Sequence, residues 1–221
     1  MTDQTEAYAA VLLCAGESRR MGQPKLLLPW GKTTVLARVV AMFAAGLSGS
    51  SGSSNGSGTP EPSGKNDAGI IVVTGGAREL VEEEVGRLAC EFPVRAVYNP
   101  DYAHGGMLSS IQVGLTALGP GCQAALIGLG DQPQVQSGMV WGIIEAHIQT
   151  GSPLVVPSFQ GHRGHPWLVA RVLWANVLAM PASTTPRQFL QAHAGEIKYT
   201  PADGSILQDL DTPEDYNRLH P

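Results

Sequence analysis

The sequence predicts an α/β domain of three layers, with helices on both faces of a mostly parallel sheet. Three observations predict it. Short apolar runs alternate with helical patterns along the chain, as repeated βα units require. The strand candidates are continuously apolar rather than alternating, as expected of strands covered on both faces. The chain has 221 residues, 43% hydrophobic and 15% charged, which suits one domain with a sizeable core and lies far from a disordered composition.

The elements follow in order. Residues 9–14 (AAVLLC) read as the first strand and 34–45 as the first helix. Residues 46–69 are almost entirely Gly, Ser, Pro and polar residues. Such a run cannot bury enough apolar surface to offset its ordering entropy, so it reads as a flexible insertion. Only one strand and one helix precede it, too little for a separate core, and a long loop is thermodynamically cheap. The whole of 1–221 is therefore expected to be a single domain interrupted at about 46–69. Strands follow at 70–74, 94–98, 124–129, 154–157 and 167–169, and helices at 78–91, 107–118, 135–150 and 171–179. Residues 158–169 look hairpin-like, and 206–219 read as a last strand and helix. With right-handed crossovers, such a sheet binds ligands beyond the carboxyl ends of its strands, so the residues after each strand are the ones to inspect.

Composition excludes several classes. The net charge is −5, which gives no global attraction to nucleic acid or anionic membrane. No apolar stretch reaches the roughly 18–20 residues of a membrane span. The N-terminus, with Asp3 and Glu6, lacks the basic start and apolar run of a signal peptide. Cys14, Cys90 and Cys122 are scattered, with no CxxC pair, and Cys14 and Cys90 are expected in the core or at strand ends. These features together predict a protein of the reducing cytoplasm.

After the first strand comes Ala15-Gly16-Glu17-Ser18-Arg19-Arg20-Met21-Gly22-Gln23-Pro24-Lys25. From Ala15 to Arg38 five basic residues face one acid, Glu17, a steep local contrast in an acidic chain. Glycines let backbone N–H groups approach an anion and the basic side chains neutralise it, so the segment reads as a phosphate-binding loop. A solvated basic loop is the alternative. It is not a Walker A loop, because five residues separate Gly16 from Gly22 and Lys25 comes two positions late; nor is it GxGxxG. After the strand at 124–129 comes Gly130-Asp131-Gln132-Pro133. Asp131 is placed to hold Mg²⁺ beside phosphates, or else Asp131 or Gln132 caps the helix that follows. Asp209 and Asp211 stand two apart and on a strand would share a side, but Thr212, Pro213 and Asp215 form a helix start, and capping is the reading these residues support by themselves. Two histidines in His162-Arg163-Gly164-His165-Pro166 lack a third metal ligand, and Arg163 reads as a mobile cation for an anionic substrate. No GxSxG elbow or flanked cysteine supports covalent catalysis.

The segment from Leu13 to Lys25 closely resembles the LAAGxSxRMGxxK signature of MobA-like nucleotidyltransferases, and within them the molybdenum cofactor cytidylyltransferases. Asn99-Pro100 through Gly106-Met107-Leu108-Ser109-Ser110, Gly130–Pro133, Arg163–Pro166 and Asp209–Asp215 follow in that family's order. The resemblance implies a three-layer Rossmann-like nucleotidyltransferase fold. It implies transfer of CMP from CTP to the phosphate of molybdenum-loaded molybdopterin, with release of pyrophosphate and Mg²⁺ as cofactor. It places Ala15, Gly16, Ser18, Arg19, Arg20, Gly22 and Lys25 around the triphosphate, with Lys25 near the α-phosphate and Arg20 near the β- and γ-phosphates. Gly106, Ser109 and Ser110 fall near base and ribose, Arg163 and His165 face the acceptor, and Asp131, Asp211 and Asp209 form the metal side. Lys25, Arg20 and Asp131 carry the catalysis. A molybdenum hydroxylase apoenzyme is the partner the resemblance suggests.

The cytidylyl branch carries Ala-Gly where the guanylyl branch carries Gly-Gly. Ala15-Gly16 therefore points to CTP, through one methyl beside the base that disfavours a purine. Cys14 replaces the family's Ala, and Pro181–Arg187 replaces a Gly-rich segment, a change on the acceptor side. A sugar- or polyol-phosphate nucleotidyltransferase, or a non-catalytic accessory protein of a molybdenum hydroxylase, are the alternatives.

Overall fold

The computed structural model describes residues 7–49 and 69–221. The chain opens with β1 (Ala7–Cys14), which leads into two 3-10 turns, Arg19–Met21 and Lys25–Leu27. A small hairpin of β2 (Pro29–Trp30) and β3 (Thr33–Thr34) precedes α1 (Val35–Leu47). Thr34 caps α1, its Oγ1 accepting from Ala37 N–H at 3.1 Å. Gly46 and Leu47 complete that helix, so the polar segment begins two residues later than 46. The rest of the predicted insertion, 50–68, lies outside the described residues.

Then follow β4 (Ile70–Thr74), α2 (Arg78–Leu88), β5 (Val94–Tyr98), α3 (Gly106–Ala117), β6 (Cys122–Leu129), α4 (Ser137–Thr150) and β7 (Leu154–Phe159). The chain closes with β8 (His162–Arg163), β9 (Trp167–Ala170), α5 (Trp174–Leu178), α6 (Pro186–Ala192), β10 (Ile197–Pro201) and α7 (Pro213–Leu219). The main sheet runs β10-β7-β9-β6-β1-β4-β5, with β8 paired to β7. β5-β4-β1-β6 and β7-β10 are parallel, and β9 is antiparallel to both its neighbours. The predicted α/β architecture with a mostly parallel sheet is the one observed. No helix among the described residues is long and apolar enough to cross a membrane.

β1 shows why the sheet has two covered faces. Successive side chains of a strand point to opposite sides. Ala10, Leu12 and Cys14 enter the core shared with α1 and α4, while Ala9 and Val11 enter the core under α3. Both sets are buried, so the run is apolar throughout.

The sequence reading departs from the structure near the C-terminus. β10 (IKYTP) is an edge strand whose residues are exposed or half-buried, so it carries no apolar signal. α6 starts on a capping box of Thr185 and Gln188 with Pro at the first turn, signals present in the sequence but not used. The strand expected from Ile206 is absent: 204–207 form a 3-10 turn and 208–212 an extended connection. Asp209 and Asp211 are thus not on a strand. Helix 171–179 is shorter, a 3-10 turn followed by α5. Cys90, expected in the core or at a strand end, is exposed, while Cys14 and Cys122 are buried.

Candidate active site

The loop after β1 folds back on itself through its own polar groups. Met21 N–H donates to Ser18 O at 3.0 Å, and Ser18 Oγ accepts from Lys25 N–H at 3.2 Å. Ser18 thus fixes the backbone that carries Lys25. Gly22 ends the first 3-10 turn at φ +67°, in the left-handed region that favours glycine. Gly75, after β4, permits the close approach of two further segments. A Cβ there would stand 2.8 Å from the Ala15 methyl and 2.7 Å from Tyr102 Cβ. Gly76 N–H donates to Ala15 O at 3.1 Å and completes this junction.

The charged groups converge at the carboxyl ends of β1 and β6. Lys25 Nζ lies 2.5 Å from Asp131 Oδ2 and 3.0 Å from Asp211 Oδ1. Arg20 Nη2 reaches Asp211 Oδ2 at 2.7 Å. Lys25 and Asp131 are largely enclosed, with side chains 13% and 16% exposed, whereas Arg20 is 68% exposed. Burial acts to lower the Lys25 pKa, but the charge and hydrogen bond of Asp131, joined by Asp211, override it and hold the ammonium above its ordinary value. Burial acts to raise Asp211, and its hydrogen bond with Lys25 and the charges of Lys25 and Arg20 override that and hold its carboxyl below the usual range. Burial, then the Asp131 charge, pushes Asp209 up against the opposing hydrogen bond from Gln132. Burial and Asp131 also push the Cys14 thiol well up, so it is an inert neighbour rather than a nucleophile.

Asp131 does not cap α4. That helix begins at Ser137 with Gln136 as N-cap, and neither Asp131 nor Gln132 takes part. The capping alternative for this motif is therefore removed. Thr212 and Asp215, in contrast, form the expected capping box of α7, which leaves Asp209 and Asp211 for other work. Four hydrogen bonds hold their segment beside the turn after β6. Leu210 N–H donates to Asp131 O at 3.2 Å, Gln132 Nε2 donates to Asp209 Oδ1 at 2.7 Å and to Ile206 O at 3.2 Å, and Gln134 Nε2 donates to Gln208 O. The sequence offers Gln132 only as an alternative cap for the helix that follows. Its burial, beside two carboxylates, is what reveals it as a tether.

Of the other expected nucleotide ligands, Arg19 pairs with Glu17 and is 82% exposed. Gly16 leaves open space where its Cβ would be. Gly106 opens α3. Ser109 and Ser110 are buried and accept from Asn99 Nδ2 at 2.9 and 3.0 Å. Asn99 is thus an internal anchor for the start of α3, and only Ser110 of the pair lines the site.

Three connected spaces surround these groups. A chamber of about 410 Å³ lies against the basic loop, Tyr102 and Asp211. A second, of about 350 Å³, contains Lys25, Asp131, Asp209 and Asp211 and shares Ala15, Gly16, Ser18 and Tyr102 with the first. Gly106 and Met107 join it to a cleft of about 1000 Å³ walled by Arg163, His165 and Ala182–Arg187. Tyr102, at both small chambers, carried no sequence signal beyond its place between Asn99 and Gly106. Arg163 is exposed and lies 5.4 Å over the Tyr199 ring.

His165 is half-buried, but its Nε2 is buried and meets no hydrogen-bond partner among the described residues. Burial pushes its pKa down to about 4. The unfolded chain, at an ordinary value near 6.5, therefore takes up this proton first. Stability supplied by the neutral ring is full above pH 6.5 and is lost as pH falls towards 4, by about 3 kcal/mol in order of magnitude. Denaturant melts at pH 7 and 4.5 check this: His165→Gln should flatten the decline, and an unchanged decline would contradict it.

Comparisons with known proteins place the chain in a family. The MobA-like NTP transferase domain model matches residues 10–197. The molybdenum cofactor cytidylyltransferase of Escherichia coli (strain K12) is 26% identical over 216 residues, 95% of this chain and 94% of that protein. Among solved structures, Rv0371c from Mycobacterium tuberculosis H37Rv is similar with TM-score 0.70 and 26% identity, over 97% of this chain and 98% of that one. The same mycobacterial protein solved as a manganese complex gives TM-score 0.64 and 25% identity, over 96% and 97%. A nucleotidyl transferase from Methanothermobacter shares the fold at TM-score 0.72 and 23% identity, over 98% and 97%. With a family model spanning most of its length and a basic loop facing two aspartates across the ends of β1 and β6, this chain belongs to the MobA-like NTP transferases.

Proposed function

We infer that the protein transfers CMP from CTP to the terminal phosphate of molybdenum-loaded molybdopterin and releases pyrophosphate. The observation that carries this reading is Lys25, held between Asp131 and Asp211 in the chamber that adjoins the basic-loop chamber on one side and, through Gly106 and Met107, the larger cleft on the other. The small chambers suit a nucleotide and the cleft a bulky phosphorylated acceptor. The Escherichia coli relative is named for the same activity.

The residues fit a hard divalent cation. The donors are carboxylate oxygens, and the ammonium of Lys25 already occupies a cation position between two of them. Among the described residues no three His, Cys, Asp or Glu side chains stand close enough to hold an ion by themselves. Mg²⁺ takes one or two carboxylates and completes its shell with phosphate and water, so Asp131 with Asp211 or Asp209 is a sufficient protein share. When bound there, Mg²⁺ neutralises charge on the triphosphate.

The acceptor phosphate is ionised at neutral pH, so no strong base is required. The obstacle is repulsion between two anions. In this reading Lys25 exchanges its carboxylate partners for the α-phosphate, and exposed Arg20 turns to the β- and γ-phosphates. An acceptor oxygen attacks the α-phosphorus, the bond to the bridging oxygen breaks, and pyrophosphate leaves with that electron pair. Positioning and fixed positive charge provide the acceleration. Arg163 and His165 border the acceptor. The reaction belongs in the cytoplasm, and the product suits delivery to a molybdenum hydroxylase apoenzyme.

Base choice falls to Ala15, which lines both small chambers and whose Cβ stands beside Gly75. Ala15→Gly should raise kcat/KM for GTP relative to CTP by about tenfold, within the 1–3 kcal/mol that one methyl discriminates. Incubation with Mg²⁺, molybdenum-loaded molybdopterin and equal CTP, GTP and ATP tests the reading as a whole. A dominant cytidine dinucleotide by mass supports it. A guanosine product overturns the base assignment, and no product overturns the acceptor.

A further inference from the structure

The C-terminal helix follows directly on the segment that carries Asp209 and Asp211. α7 has seven residues, none fully buried, and a helix so short does not persist without tertiary support. Among the described residues, its tertiary support comes from the small β2–β3 hairpin and the core edge beside it. Tyr216 Oη donates to Pro29 O at 2.5 Å. The Trp30 ring, itself buried, stands 6.3 Å from the Tyr216 ring and 5.6 Å from His220, and the last two are 5.0 Å apart. Tyr216 and Leu219 also pack against the core.

Both sides of this aromatic contact adjoin charged site residues. Lys25 lies four residues before Pro29, and Asp211 lies five residues before Tyr216. Leu210, fully buried and bonded to Asp131 O, fixes Asp211 from its N-terminal side. From the C-terminal side, only Thr212 intervenes between Asp211 and the first residue of α7. The carboxylate that bridges Lys25 and Arg20 is thus suspended between a core anchor and a surface helix, and the helix is pinned to the segment that carries Lys25.

We propose that Trp30, Tyr216 and His220 form a clasp that positions Asp211 against Lys25 and Arg20, with Tyr216 as its central positioning residue. None of the three touches the reacting atoms. The clasp rests on the functional reading above in that Asp211 serves the metal and the triphosphate. Its consequence is specific. Loosening the clasp weakens what Asp211 holds and leaves the acceptor cleft, on the far side of Gly106, unaffected.

The test compares wild type, Tyr216→Ala and Tyr216→Phe in the full chain. Amide hydrogen exchange at 208–212 is read by mass spectrometry, and Mn²⁺ binding in the presence of CTP by electron paramagnetic resonance. In Tyr216→Ala, exchange at 208–212 should accelerate while β1, β4 and β6 stay protected. Mn²⁺ affinity should fall by about tenfold, the low end for loss of an outer-sphere support, with KM for the acceptor unchanged. Tyr216→Phe keeps the rings and should recover most of both. His220→Ala leaves the Trp30–Tyr216 contact in place and should shift both readouts less, in the same direction; it serves if Tyr216→Ala does not fold. A loosened α7 with unaltered exchange at 208–212 and unaltered Mn²⁺ affinity would overturn the clasp. A wild-type protein that transfers no nucleotidyl group would end the functional reading while leaving the exchange and Mn²⁺ comparison to decide the clasp.

Discussion

Lys25→Ala is expected to lower kcat by about 10²–10³-fold, the usual cost of removing one preorganised charge aimed at the transition state. Among the described residues, Lys25 is the only cation placed between two of the site carboxylates with its side chain mostly enclosed. Enclosure strengthens its field at the reacting phosphate. Its loss also leaves Asp131 without the ammonium between it and Asp211, which keeps Arg20. The fold should survive, because the loop is held by its backbone and by Ser18 rather than by the ammonium. Steady-state kinetics with a parallel thermal melt check this. A folded Lys25→Ala protein with wild-type kcat would remove Lys25 from the mechanism.

Asp131→Asn should cost activity on a similar scale, about 10³-fold, and abolish its dependence on divalent metal. The substitution keeps the side chain's shape and removes its charge. The backbone carbonyl of residue 131 still accepts from Leu210, so the segment bearing Asp209 and Asp211 stays in place. Calorimetric Mg²⁺ titration with CTP present separates the two roles open to this residue. Weakened metal binding with an unchanged melt marks a metal-binding carboxylate. Unchanged metal binding and activity would leave Asp131 only as a partner of Lys25.

Much of this arrangement was legible before the coordinates. The continuous apolar runs of β1, β4 and β6 fixed the centre of the sheet, because burial on both faces leaves no room for polar alternation. The loop from Ala15 to Lys25 was legible because its glycines and basic residues are concentrated. β10 was not, since an edge strand needs no apolar pattern, and its Lys198 and Thr200 hide it. The segment 206–212 read as a strand because Ile206 and Leu210 are apolar. Both are indeed buried, but Ile206 as the anchor of a 3-10 turn tied to Gln132 and Leu210 as the anchor of an extended connection tied to Asp131. The tether by Gln132, the anchor at Asn99 and the aromatic contact of Tyr216 with Trp30 join residues 10 to nearly 190 positions apart or depend on burial. No local pattern in the chain announces them.

The central claim is that Lys25, Asp131 and Asp211 serve attack at the α-phosphorus. Labelling CTP with ³²P at that atom tests it most directly. Incubation with Mg²⁺ and molybdenum-loaded molybdopterin should move the label into the dinucleotide product and release unlabelled pyrophosphate, in wild type and not in Lys25→Ala. Label retained in CDP, with the γ-phosphate transferred or released instead, would contradict the account.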